Sequence, residues 1–133
     1  METLVTIHDL FRWLVLLAAV VGIGGSAAVW FGQAPWRLGD RLGLIYTIAL
    51  DIEVALGIIV WILAIFTPTG QVVALQVIHP LVMLVAVGVA HMTRIRAERA
   101  PSDRARGQFA TLGFLASLIL ILLAIPGLLL PAG

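Results

Sequence analysis

The chain has no cysteine, no lysine and no asparagine, and a single tyrosine. Without cysteine it has no disulfides, no thiolate zinc sites, no iron–sulfur clusters and no covalent c-type haem attachment. Charge is also scarce. Charged residues make up 11% of the 133, against about 25% in an average soluble domain. Hydrophobic residues make up 62%, and mean hydropathy is +1.13. A soluble chain of 14.2 kDa cannot hide that much apolar surface. Nucleic-acid binding, secretion as a soluble factor and a dinucleotide-binding α/β enzyme are poor fits. The N-terminus lacks a basic region, and its first apolar stretch is too long for a signal-peptide core, so no cleaved leader is expected. All 8 basic residues are arginine, a bias that suits a GC-rich or heat-adapted bacterium and hence a bacterial inner membrane.

What is there is long apolar runs. A helix needs about 20 apolar residues to cross a bilayer core of about 30 Å. Four stretches qualify: 4–30, 42–66, 72–92 and 109–130. Gly32-Gln33-Ala34-Pro35 begins the first connection, with Asp40 as a cap for the second span. Thr67-Pro68-Thr69-Gly70 reads as a tight turn, and 94–107 as a long polar loop. Short links favour antiparallel neighbours, so the expected fold is an all-α, integral membrane four-helix bundle running up-down-up-down. Arg37 and Arg41 sit in the first connection, and Arg94, Arg96, Arg99, Arg104 and Arg106 crowd the third. By the positive-inside rule these two connections are cytoplasmic and both termini lie outside.

Small residues recur at four-residue spacing: Ala18, Gly22 and Ser26 on span one, Ala86 and Ala90 on span three, Gly113 and Ser117 on span four. Such stripes let helices approach closely in lipid. On spans one and three they have a second reading, because both spans carry histidine. Ionisable residues inside spans are costly and mark function by default. His8 lies near the outer start of span one, and His79 about two turns into span three. The spans run parallel, so both belong to the outer half, offset in depth by about 7.5 Å at 1.5 Å per residue. Two imidazoles on different helices at similar depth are what a bis-histidine haem needs. The face with His8 also carries Arg12, Ala19, Gly22 and Ser26, and the face with His79 carries Met83, Ala86 and Ala90. These small side chains would leave a slot for a flat ring. Arg12, one turn from His8, suits a haem propionate. The plain alternative is an interfacial His8 and an interhelical hydrogen bond from His79.

His91 lies twelve residues after His79, about 120° further round the helix, and has no second histidine at its depth. It reads as an ordinary interfacial residue beside Arg94, or as a proton or quinone site together with Asp51 and Tyr46. Asp51 and Glu53 fall near the middle of span two, where a carboxylate costs at least about 2.5–3.5 kcal/mol. Two residues apart, they point about 160° from each other and cannot serve one pocket. Glu53 shares a face with Tyr46, Gly57 and Trp61; Asp51 shares one with Ala55 and Ile58.

Together, His8-Asp9-Leu10-Phe11-Arg12-Trp13, Asp51-Ile52-Glu53 with Gly57, His79-Pro80 with Met83 and His91, and the Arg-rich segment leading to Ile125-Pro126 resemble a group of small four-helix bacterial membrane proteins labelled as b-type cytochromes. More distantly the chain is similar to one four-helix half of haem A synthase. That likeness implies that His8 and His79 ligate haem b. It also implies that Glu53-Val54-Ala55-Leu56-Gly57 lies between them, Glu53 standing where that family has Gln. The family's Glu three residues before its first His, and the Arg directly after it, are replaced here by Val5 and Asp9, which speaks against haem A synthesis itself.

The expectation is therefore a membrane b-type cytochrome with one haem b, held by His8 and His79 with Arg12, Glu53, Gly57, Gly22, Met83 and Ala86 around it. It would transfer electrons, with quinone as a partner, either as a homo-oligomer or as part of a larger membrane complex. An accessory structural subunit and a small metal-handling or transport protein are the rivals. The topology has a direct check, since the chain has no cysteine of its own. Cysteines introduced at Thr69 and Pro131 are expected to label from outside, and one at Ser102 only after permeabilisation. The reverse pattern inverts the orientation.

Overall fold

In hydrocarbon every backbone N–H and C=O must be paired within its own segment, so long apolar runs become helices. The computed structural model describes residues 1–66 and 74–128, without the side chains of residues 74 and 75. Among these, α1 spans Glu2–Trp30, α2 Trp36–Ile65, α3 His79–Glu98 and α4 Asp103–Ala124, with a π-helical turn over Ala74–Ile78 leading into α3. The fold is all-α, and 4 helical segments are long and apolar enough to cross a membrane. The expected turn at 67–70, the start of span three at Val72 and the end of span four beyond Leu128 lie outside the described residues.

The helices reach further than the apolar runs at the arginine-rich end. α2 begins at Trp36 behind an extended Pro35, so Asp40 is not its cap but lies one turn inside, paired with Arg94 of α3 at 3.0 Å. The expected loop 94–107 shrinks to residues 99–102, because α3 runs on to Glu98 and α4 starts at Asp103. Arginine, glutamate and alanine are good helix formers, and a 30-residue helix of about 45 Å overhangs a core of about 30 Å. Polar composition there marks the membrane boundary, not the end of the helix. At the other extreme α4 stops at Ala124, because Pro126 cannot continue it.

The ends are locally encoded. α1 closes with Gly32 at φ +74° and an N–H from Gln33 to the carbonyl of Ala28 at 2.7 Å, a left-handed C-terminal cap that favours glycine. Ser102 caps α4 by accepting the N–H of Ala105 at 3.1 Å.

α1 packs along α2 and α4, and α3 along α4, while α2 and α3 share a smaller interface. Between α1 and α4 the backbones nearly touch: a Cβ on Gly107 would lie 2.8 Å from the carbonyl oxygen of Ser26. In the centre, Ser117 donates its hydroxyl to the carbonyl of Ala86 at 2.9 Å. Its proton is thereby used, so Tyr46 must be the donor in the 2.7 Å contact with Ser117. Tyr46, wholly buried, also meets Phe114 edge to face at 5.4 Å. One hydroxyl relay thus joins α2, α4 and α3. Ser117→Ala is expected to destabilise the bundle by about 1–2 kcal/mol, since it leaves the Tyr46 hydroxyl buried without an acceptor. Gly107→Ala, facing backbone that cannot step aside, should cost about 1–3 kcal/mol. Unfolding titrations in mixed micelles measure both.

Candidate functional site

At the end of the bundle opposite the arginine-rich connections, α1 and α3 begin while α2 and α4 finish, and a cavity of about 510 Å³ opens there. Its walls are mostly aliphatic, from Val5 and Val15 of α1, Val54 and Ile58 of α2, Leu84 of α3 and Ile121 of α4. The polar groups facing it are few: His8, Asp9, Arg12, Glu53, Gln76 and His79. A largely apolar pocket of about 300–1,000 Å³ with a few convergent polar groups is the usual form of a cofactor site.

His8 and His79 reach the same depth. Their ring centroids are 6.3 Å apart and their planes stand at 76°. The π-helical turn and Pro80 set the position of His79. Proline has no N–H, so the carbonyl of Gln76, four residues earlier, has no α-helical donor from it. That carbonyl accepts the indole N–H of Trp61 instead, at 2.6 Å, which ties α2 to the start of α3.

Each imidazole turns Nδ1 to a protein oxygen, but only that of His79 is hydrogen-bonded. His79 Nδ1 lies 2.7 Å from the carbonyl of Ala124, in the last turn of α4. A carbonyl can only accept, so Nδ1 carries the proton and Nε2 of the neutral ring keeps its lone pair. His8 Nδ1 lies 3.2 Å from Oε1 of Glu53. That is an ion-pair distance, but the ring N–H is not aligned as a hydrogen bond, and Oε2 of Glu53 is buried without a partner. Neither Nε2 has a hydrogen-bond partner among the described residues. Gly57 lets the ring of His8 come close to α2, since a Cβ there would lie 3.1 Å from Cε1 of the ring.

Arg12 lines the same cavity, its guanidinium 5.6 Å from the centre of the Trp13 ring, with no carboxylate partner among the described residues. Met83 is there too. Gly22 and Ala86 are not. Gly22 packs against Cβ of Tyr46, 3.3 Å from where its own Cβ would stand, and Ala86 is buried under Ser117. The small residues on the faces of His8 and His79 serve helix contact nearer the bundle centre; Gly57 makes room for the imidazole of His8, and the cavity lies where α2 and α3 share only a small interface. Trp61 lines the cavity with Glu53 and Gly57, the face the sequence set it on. The sequence reading missed Asp9, Gln76 and the Ala124 carbonyl as site groups; of these only the free carbonyl of Gln76 left a signal, in Pro80.

The remaining polar residues separate. Asp51 accepts a 2.7 Å hydrogen bond from Nε2 of His91 across α2 and α3, and both side chains are 45% exposed. His91 is about 18 Å along α3 from His79 at 1.5 Å per residue. Tyr46 is spent on Ser117 and takes no part in that pair. Among the described residues no cluster of three or more His, Asp or Glu converges to hold a bare metal ion. No protein-family model, curated protein or solved structure matches the chain.

Proposed function

We propose that this chain is a membrane b-type cytochrome, with one haem b between His8 and His79, serving one-electron transfer. The observation that carries the reading is the pair of facing imidazoles whose Nδ1 atoms are both turned to protein oxygens. Metal-bound histidine is regularly held this way, the second ring nitrogen fixed by a carboxylate or backbone carbonyl. The two ring centres lie 6.3 Å apart, so His8 and His79 would be the residues that hold the group. The aliphatic walls suit a porphyrin face, and Arg12, the one cation without a carboxylate partner among the described residues of the lining, is suited to a propionate. The haem, when bound, would supply the redox chemistry. The chain's own part is to present two neutral nitrogens, exclude water and set the charge around them with Glu53. The setting proposed is a bacterial inner membrane with both termini outside.

Absorbance of the purified protein tests this: a Soret band and a sharp reduced α-band are expected. His8→Ala or His79→Ala should abolish the low-spin spectrum, and His91→Ala should leave it intact. Glu53→Gln should keep the haem and raise its midpoint potential in a redox titration, because it removes negative charge beside a ligand. A colourless protein, or one whose spectrum depends on His91 and not on His8, overturns the assignment. The His79–Ala124 bond would also suit an accessory subunit in which the histidines only tie helices together, and such a subunit would be colourless.

A further inference from the structure

Asp51 stands at the midpoint of α2, a helix of 30 residues, about 22 Å from either end. At that depth a polar atom without a partner costs several kcal/mol, and lipid tails offer none. His91 and Asp51 satisfy each other through one atom apiece. Nδ1 of His91 and Oδ2 of Asp51 have no partner among the described residues, and both side chains are half open to the surroundings of the bundle. The flanking side chains Ile48, Ile52, Met92 and Ile95 are apolar and exposed, so whatever reaches the pair comes through lipid. One turn before His91, Gly88 leaves open space where a Cβ would be.

We propose that the Asp51–His91 pair binds the head group of a membrane quinone or quinol from the lipid side, over the bare backbone at Gly88. The chemistry matches in both oxidation states of such a ligand. The carboxylate fixes the proton on Nε2, so Nδ1 of the neutral ring accepts a quinol hydroxyl. In the imidazolium form Nδ1–H donates to a quinone carbonyl, and Asp51 stabilises that charge. A planar ring with an isoprenoid tail also has the right phase: it is dissolved in the bilayer and needs no aqueous route. The site is separate from the histidine cavity, so the proposal stands whether or not haem is bound there.

The test is binding of a decyl-tailed benzoquinone to the full-length protein in detergent, followed by quenching of tryptophan emission. Saturable binding is expected. His91→Gln and Asp51→Asn should each weaken it about tenfold, the effect of one hydrogen bond of about 1.4 kcal/mol, and the double variant little further. Val20→Leu, a conservative change on the exposed face of α1, should bind as the unaltered chain does. Gly88→Leu, which fills the bare patch, should also lose binding, so the test survives misfolding of a pair variant. No saturable binding, or equal affinity in all variants, overturns the proposal. So does a change of oligomer size in the pair variants with quinone affinity unchanged, which would make the pair a contact between copies. A missing Soret band overturns the haem reading alone.

Discussion

The last turn of α4 leaves carbonyls with no helical donor, and the carbonyl of Ala124 takes the ring N–H of His79. Much of the open end of the bundle depends on that contact. It caps α4 where Pro126 stops it, anchors the first residue of α3, and fixes the tautomer of one imidazole. The same economy operates at the other proline: Pro80 frees the carbonyl of Gln76, and Trp61 occupies it. The donor that Pro80 lacks and the helix end before Pro126 thus leave the two acceptors that pin α3 to α2 and to α4. In lipid such freed groups must be used, because no water is present to take them.

The bundle is built asymmetrically around this end. At the arginine-rich end α1, α2 and α4 are brought close by Gly107 and Gly43, and the centre is closed by Tyr46, Phe114 and Ser117. No hydrophobic force drives helices together in lipid, so this half is held by close van der Waals contact and hydrogen bonds. The seam between α2 and α3 is different. It is bridged by Trp36 to Glu98, Asp40 to Arg94, Asp51 to His91 and Trp61 to the carbonyl of Gln76. Polar struts hold two helices at a distance where side chains need not interlock. That is how a cavity of about 510 Å³ persists beside the seam in so small a protein.

The four spans, the antiparallel order and the nearness of His8 to His79 were all legible in the residues, because each rests on a one-dimensional signal. Apolar length gives the spans, short links give the order, and a shared outer half on parallel helices gives the pairing, with the expected offset of about 7.5 Å closed to ring centres 6.3 Å apart. Helix bounds were not legible at the arginine-rich end, where composition reports the membrane surface and the backbone continues past it. That Asp51 and Glu53 face opposite ways was legible from their spacing, and the resemblance set Glu53 inward: Glu53 is buried against His8 and Asp51 is half exposed. Which small residues make room and which make contact was not legible. Gly22 and Gly57 look alike in sequence and differ only in what stands across from them. The grouping of His91 with Asp51 was in the residues, and the two meet at 2.7 Å. That Tyr46 stands apart from them was not legible, because its hydroxyl partner, Ser117, lies on α4.

Asp51 and Glu53 show how one helix can serve two surfaces. A carboxylate at mid-membrane is retained only where something returns its cost. Glu53 has a histidine and a cavity, and Asp51 has a histidine and the lipid phase. Both pairs join a carboxylate to a ring nitrogen, yet they differ in exposure by an order of magnitude, 4% for Glu53 against 45% for Asp51. The enclosed pair is suited to hold a group that stays. The open pair is suited to meet a group that comes and goes within the bilayer. That division follows from a spacing of two residues on a helix: one turn of backbone presents the same functional group to the interior and to the membrane.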